Sequence, residues 1–172
     1  MKDLAKIASE SQAELSAIGI HTGEVTRYSV NSRAKRRLGL CTHIGNNKYE
    51  IEVSSLLFHE AVPEITLKYV VIHELIHTCK GCMNHGDRWK YYVEKVNRAY
   101  GYTISSNPYS HDRKDMDGVR TAKAEQAACE VKYKYVCNDC GAEVNRYRAS
   151  SFTKNPNRYH CARCGGKFSR IF

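Results

Sequence analysis

Apolar residues in the first third of the chain recur first with a helical period and then with the period of a strand. Positions 4, 7, 8, 15 and 18 are apolar, which predicts an amphipathic helix that starts after Asp3 and ends near Gly19. Alternation over residues 48–53 predicts a half-buried strand, and residues 24–30 also read as a strand. Between them, residues 33–40 pass from a basic to an apolar stretch, and the pattern assigns them no element.

Two further helices are predicted in the middle of the chain. Residues 63–77 are apolar almost all round, which is typical of a buried helix, and the proline and glutamate that open this segment suit a first turn. Gly81 can end this helix as a left-handed cap. Asp87 can then cap a helix with one apolar face, which Gly101 ends. A helix, a small sheet and two more helices indicate an α+β fold.

The buried helix contains polar residues that require a partner. They are His73, Glu74 and His77, in the sequence His-Glu-Leu-Ile-His. Residues four apart lie on one helix face, so the two imidazoles can bind one metal ion. With an open position for water, the arrangement suits a catalytic zinc, and Glu74 can act as the general base. The structural alternative is a pair of core histidines held by hydrogen bonds.

The third ligand of this site could be a histidine or one of two cysteines. His85 follows His77 by eight residues and can turn back toward the ion just before the next helix. Cys79 and Cys82 form a C-x-x-C pair in the same loop, and thiolates bind zinc well. A cysteine-rich shell would make a closed structural site. The glutamate inside the motif favours the catalytic version, for which His85 is the best candidate.

A second metal motif lies in the last third of the chain. Cys137 and Cys140, then Cys161 and Cys164, form two C-x-x-C pairs with twenty residues between them, and a glycine follows each pair. This spacing is specific for a four-cysteine zinc ribbon, in which the glycines allow tight turns. Such a closed site is structural and performs no chemistry itself. A redox-active or accidental pairing is the alternative.

Charge and cysteine content narrow the class of protein. The net charge is +9, and from residue 112 onward 13 Lys and Arg against 7 Asp and Glu give +6. A basic C-terminal third with interleaved tyrosines suggests DNA as a partner, in single-stranded or junction-containing form, although the charge could also serve solubility alone. No run reaches the roughly 18 apolar residues of a membrane span, and the N-terminus lacks a secretory signal. We therefore expect a cytoplasmic protein without a membrane partner, in which eight cysteines serve metal binding rather than disulfides.

Together these motifs resemble the SprT-like metalloproteases, relatives of the Spartan proteases that degrade proteins crosslinked to DNA. The resemblance covers residues 20–102 and the ribbon at 131–168. It departs from the family in the short interval between the second and third histidines. It implies, residue by residue, three zinc ligands and a general base, namely His73, His77, His85 and Glu74. It also implies four ligands of a structural zinc, namely Cys137, Cys140, Cys161 and Cys164.

The resemblance implies a zincin-like metalloprotease domain, with helices packed on a small sheet, followed by a small β zinc ribbon. We expect the protease domain over residues 1–111, a linker or connecting helix over 112–130 and the ribbon over 131–172. The implied function is a zinc-dependent endopeptidase, monomeric, with one catalytic and one structural zinc, that acts on DNA-associated or DNA-crosslinked proteins. The alternative is a non-enzymatic nucleic-acid-binding protein with two structural zinc sites.

Overall fold

The computed structural model describes residues 2–34, 36–106, 116–129 and 131–172. The chain divides into two compact units, Met1–Lys123 and Ala124–Phe172. The division falls inside the segment 112–130 that the sequence assigns to a linker or connecting helix. Each unit combines helical segments with a three-stranded sheet, so the predicted α+β class is confirmed.

The first unit begins with a helix, continues with three strands and then adds helices. Its elements are α1 (Leu4–Ala17), β1 (Glu24–Asn31), β2 (Gly39–Gly45), β3 (Lys48–Ser54), α2 (Glu64–His77), α3 (Asp87–Tyr100) and the start of α4 (Asp117–Cys129). The Asp3 side chain accepts hydrogen bonds from the N–H groups of Ala5 and Lys6, so the first helix starts at its predicted cap. A loop is expected over residues 103–111; residues 103–106 contain no helix or strand, and 107–111 lie outside the described residues.

The sheet of this unit has the order β1-β3-β2, and its edge strand β2 is not predicted from the sequence. The central β3 pairs parallel with β1 and antiparallel with β2. A tight turn joins β2 to β3 through Asn46 and Asn47, whose φ angles of 50° and 56° are left-handed. Three consecutive residues of β2 are exposed, which removes the alternation that would have revealed the strand.

The ends of α2 and α3 differ in part from the predicted ones. The prediction that Gly81 caps α2 is wrong: the helix ends at His77, and Gly81, with φ of 78°, lies in the turn that follows. Gly86, rather than Asp87, is the N-cap of α3. Gly101 ends α3 in the left-handed conformation, with φ of 67°, as predicted. The earlier end of α2 releases a loop of nine residues before α3.

The helix α2 lies at the centre of the core. Ten of its fourteen residues are buried, and it packs against α1, α3, β2 and β3. Its apolar residues with 0% exposure are Leu67, Val71, Ile72, Leu75 and Ile76. The same helix carries the polar motif, so His73, Glu74 and His77 are held by the best-packed element of the unit.

The second unit is built around a small antiparallel sheet. Its elements are β4 (Tyr133–Cys137), β5 (Glu143–Arg146), the short helix α5 (Ser151–Lys154) and β6 (Phe168–Arg170). The strand order is β5-β4-β6, with both neighbours antiparallel to β4. The buried core consists of Tyr135, Cys137, Phe152, Cys161 and Phe168. Two of these five residues are cysteines of the C-x-x-C pairs, so the core of this unit includes part of its candidate metal site.

Candidate metal centres

Three imidazole nitrogens converge beside α2. The Nε2 atoms of His73 and His77 are 3.3 Å apart, and the Nε2 atom of His85 lies 2.9 Å from the first and 3.1 Å from the second. A tetrahedral zinc ion, with its ordinary zinc–nitrogen distance, holds two nitrogen ligands about 3.3 Å apart. The three nitrogens therefore have the spacing of ligands to one ion, and this donor set fits zinc.

Backbone carbonyl groups orient two of these rings. The Nδ1 atom of His77 lies 2.6 Å from the Cys82 carbonyl oxygen, and that of His73 lies 3.2 Å from the Ser105 carbonyl oxygen. A carbonyl can only accept, so in each hydrogen bond Nδ1 carries the hydrogen and Nε2 presents its lone pair to the cluster. Burial also lowers the pKa of His77 and of His85, which favours the neutral imidazole that binds metal.

The thiols of the loop between His77 and His85 do not join this cluster. Within the described part of the chain, ligand atoms converge in two groups, the three histidines and the four ribbon cysteines, and neither group includes Cys79 or Cys82. Both thiols are buried, and burial raises their pKa, that of Cys79 to about 12. Cys82 instead serves the site through its carbonyl oxygen. The structure thus brings His85, and not a loop cysteine, together with the two histidines of the motif.

Trp89 packs against all three imidazoles. Its ring centroid lies 4.7 Å from that of His73, 5.6 Å from that of His77 and 4.5 Å from that of His85. The side chain is 1% exposed, so it closes one side of the cluster to water. The sequence assigned Trp89 only to the apolar face of α3. Its contact with the site depends on how α3 folds back on α2, which no local pattern reveals.

Glu74 lies in a narrow space beside the histidines. It is 7% exposed, and a backbone N–H from Cys41 on β2 donates to its carboxylate. Burial raises the pKa of Glu74 to about 8, and the Cys41 hydrogen bond and the nearby Arg37 charge only partly oppose that rise. A cation at the histidines would lower this pKa, because an opposite charge favours the ionised carboxylate. With a metal bound, Glu74 is therefore suited to accept a proton near neutral pH.

Gly39 leaves the room that Glu74 occupies. A Cβ atom at this position would lie 2.4 Å from Oε1 and 2.7 Å from Cγ of Glu74, so only glycine fits without displacing the carboxylate. Sequence reasoning missed both Gly39 and Cys41. The Asn46-Asn47 pair before the predicted strand could have indicated a hairpin, and hence β2. The contact between β2 and Glu74 could not have been inferred from any local signal.

The candidate site opens into a cleft of about 410 Å³, a volume within the usual range of ligand pockets. One wall is formed by Arg36, Arg37 and the first residues of β2, and the other by α2. The segments 83–85 and 104–106 also line it. The three histidines and Glu74 are therefore reachable from outside, as a substrate would require.

Four thiols converge in the second unit. The Sγ atoms of Cys137 and Cys164 are 3.4 Å apart, and those of Cys140 and Cys161 are 3.7 Å apart. All four lie within 4.8 Å of one another. Zinc held by four thiolates keeps its sulfur ligands about 3.8 Å apart. The structure thus brings the four predicted ribbon ligands together in a spacing that fits a structural zinc ion.

The backbone of the ribbon supports these thiols with two similar turns. Gly141 and Gly165 have φ angles of 70° and 80°, and their N–H groups donate to the carbonyl oxygens of Cys137 and Cys161 at 3.0 Å and 2.8 Å. The left-handed angles explain why glycine follows each C-x-x-C pair. The N–H of Cys140 also donates to the Cys137 sulfur and lowers its pKa to about 7. This hydrogen bond favours the thiolate, the form that binds zinc, at Cys137, whereas the pKa of the neighbouring Cys164 thiol is raised.

Aromatic side chains of the second unit divide between core and surface. Tyr135 and Phe152 belong to the buried core, whereas Tyr147 and Tyr159 are 48% and 38% exposed. The Arg146 guanidinium lies over the Phe152 ring at 5.1 Å. Part of the aromatic content of this unit therefore serves its core, and the exposed aromatic side chains are Tyr147, Tyr159 and Phe172.

Comparison with known proteins defines the class. The model of the SprT-like family matches residues 9–110, which is more than half of the chain and includes all three histidines and Glu74. The chain therefore belongs to the SprT-like family, as its motifs predict. It is also similar to a protein described as "Protein SprT-like" from Bacillus subtilis (strain 168), with 28% identity over 112 residues that cover 63% of this chain and 69% of that protein. Within the described residues, no helix has both the length and the apolar character needed to cross a membrane.

Proposed function

We propose that this chain is a zinc-dependent endopeptidase of the SprT-like type, located in the cytoplasm, that acts on DNA-associated or DNA-crosslinked proteins. The observation that carries the proposal is the convergence of three imidazoles beside a buried carboxylate in an open cleft. A structural zinc site is closed by four protein ligands, whereas three ligands leave a position for reactants. The loop thiols that would close the site in a binding protein do not belong to this group of converging ligand atoms.

The residues of the cleft have separate roles in this proposal. His73, His77 and His85 would hold the zinc ion, which when bound supplies Lewis acidity toward a peptide carbonyl and toward water. Glu74 accepts the proton of the attacking water at its carboxylate and can deliver it to the amide nitrogen of the leaving peptide. Gly39 and the Cys41 N–H keep that carboxylate in place.

The second unit would bring the protease to DNA. The C-terminal third has a charge of +6, and Tyr147 and Tyr159 are exposed near its basic residues. Cations neutralise phosphates and exposed aromatic rings stack on bases, a combination that suits single strands. The four-thiolate site would fix the small sheet that presents these side chains.

The test is cleavage of a DNA-binding protein by the zinc-loaded full chain, with and without single-stranded DNA. We expect fragments with DNA and fewer without it. Glu74→Gln should abolish cleavage and keep the zinc, and Glu60→Gln, which changes an exposed glutamate, serves as the matched control. Absence of cleavage by the unaltered chain under both conditions would instead support a nucleic-acid-binding protein with two structural zinc ions.

A further inference from the structure

The cleft extends beyond the histidines along α2, toward the start of the helix. Thr66, Val70, His73 and His77 recur at helical spacing and line the same cleft, so they form one face of α2. Between the start of α2 and His73, the residues of this face are Thr66 and Val70, which carry no charge. Ile104 and Met116 also line the cleft, and with Val70 they are only 4%, 2% and 6% exposed. These buried side chains give the part of the cleft nearest the start of α2 an apolar lining, and we call this part the recess.

The charged side chains that line the cleft do not lie on the part of α2 between its start and His73. Among its described lining residues, the formally charged side chains are Arg36, Arg37 and Glu74. Both arginines precede β2 and are exposed, and Glu74 lies against Gly39. A charged side chain that entered the recess would lose its hydration, and Thr66 and Val70, which line the cleft between the start of α2 and His73, offer it no opposite charge. An apolar side chain would leave water for an apolar surface.

The cleft as a whole is large enough for a side chain and a stretch of peptide backbone. The whole cleft of 410 Å³ holds roughly a dozen water molecules at about 30 Å³ each. A peptide segment with one bulky residue can displace that water while its backbone stays beside the histidines. The position of the recess next to His73 means that the residue it takes is adjacent, or nearly adjacent, to the bond that is cut.

We propose that this recess is a specificity pocket that selects a bulky apolar residue of the substrate, such as Leu, Phe or Met, next to the scissile bond. The proposal rests on the proposed function and names its substrate class. The protease would thus choose its bonds by a side chain that folded proteins bury, and DNA would determine only which proteins it meets. An extended or locally unfolded segment is the form of protein that exposes such a side chain.

The experiment uses flexible peptides of Gly and Ser with a single variable residue, Leu, Phe, Ala, Lys or Asp, and the zinc-loaded full chain. Products are identified by mass spectrometry. We expect kcat/KM for Leu and Phe to exceed that for Lys and Asp by about 10- to 100-fold, with cleavage on one side of the variable residue. Val70→Phe should fill the recess and shift the preference toward Ala. Val30→Phe, the same change at a half-exposed position of β1, should leave the preference unaltered.

Binding of the same peptides, fluorescently labelled, to the Glu74→Gln chain separates the two proposals. Preferential binding of Leu and Phe peptides, lost in a Val70→Phe, Glu74→Gln chain with an unchanged melting temperature, would support the pocket even if nothing is cut. Cleavage with equal rates for all five peptides would overturn the pocket and leave the protease intact. Equal binding of all five peptides by Glu74→Gln would overturn the pocket as well.

Discussion

The two candidate metal centres differ in their relation to the fold around them. The histidine centre lies on α2, a helix already buried by apolar packing against two helices and two strands. The thiolate centre lies in a unit whose buried core has five residues, two of them its own cysteine ligands. In the first unit, apolar packing holds the helix that carries the histidines. In the second unit, the cysteine ligands themselves form part of the buried core. This contrast predicts different responses to loss of metal and to mutation.

The largest expected effect is the response to chelation. Zinc in four-thiolate modules contributes about 10–16 kcal/mol of folding free energy, as much as the whole stability of a typical domain. Removal of both ions should therefore unfold residues 131–172 and leave the first unit folded. Amide hydrogen exchange should show loss of protection in β4 and retention in α2.

Two variants isolate the two centres in that experiment. Cys161→Ser should reproduce the unfolding of the second unit without chelator. His77→Ala should lower the zinc content from two ions per chain to one and leave the amides of both units protected. Unfolding of α2 upon chelation, or a protected β4 without metal, would remove the contrast between the centres.

The next effect concerns Gly39, which leaves room for the carboxylate of Glu74 beside the histidine centre. Gly39→Ala should push the Glu74 carboxylate out of its space, since the new Cβ would lie 2.4 Å from Oε1. We expect a loss of peptide cleavage of about 10²–10⁴-fold, similar to Glu74→Gln. Zinc content should remain at two ions per chain.

Thr42→Ala, at an exposed position of the same strand, is the matched control for Gly39→Ala. It should keep full activity, because its side chain does not line the cleft. If Gly39→Ala cleaves as well as the unaltered chain, the close approach of β2 to Glu74 has no role in catalysis.

A third effect appears in the metal-free first unit as pH changes. Burial raises the folded pKa of Glu74 to about 8 from an ordinary value of 4.5, so between these values the folded state holds a proton that the unfolded state has lost. The contribution of Glu74 to the stability of this unit should therefore fall as pH rises from 4.5 to 8 and then stay constant, whereas His77 and His85, whose pKa burial lowers, contribute in the opposite direction. Glu74→Gln removes this dependence and should stabilise the chelated unit at pH 8.5, by on the order of 1–3 kcal/mol.

Thermal melts of the chelated chain measure this difference. The stability difference between Glu74→Gln and the unaltered chain should shrink toward pH 5. It should also shrink when zinc is added, because the cation favours the ionised carboxylate. A Glu74→Gln chain that is less stable than the unaltered one at pH 8.5 would mean that the ionised carboxylate is well accommodated without metal.

The smallest effect concerns DNA binding by the second unit. Combined replacement of Lys132, Lys134, Arg146 and Arg148 by Ala should reduce the slope of log affinity against log salt by up to about 3 on single strands. The matched control replaces four exposed cations of the first unit, namely Lys6, Arg27, Lys48 and Arg98. Titration of a labelled single strand at several salt concentrations measures both. If both sets of four substitutions reduce the salt slope equally, the DNA contacts are not concentrated in the second unit.

The sequence predicted the parts of the molecule that depend on local spacing. The motif helix, the strand at 48–53 and the alignment of the C-x-x-C pairs follow from periods of 3.6 and 2 and from fixed ligand intervals. The strand β2 was missed because three exposed residues interrupt its pattern. Its effect on Glu74 joins positions 35 residues apart, and the packing of Trp89 on the histidines joins two helices. Such contacts arise only when the elements pack.

Trp89 gives the protein an optical property. It is the one tryptophan of the chain, so the indole emission comes from a ring whose centroid lies 4.5–5.6 Å from those of three imidazoles. A paramagnetic ion such as Co²⁺ or Cu²⁺ at the histidines would quench that emission by its proximity. The Cys161→Ser and His77→Ala chains, which each lack one of the two centres, show which ion causes the quenching. The histidine centre can thus be followed by fluorescence in the intact chain, in the presence of the ribbon, DNA or substrate.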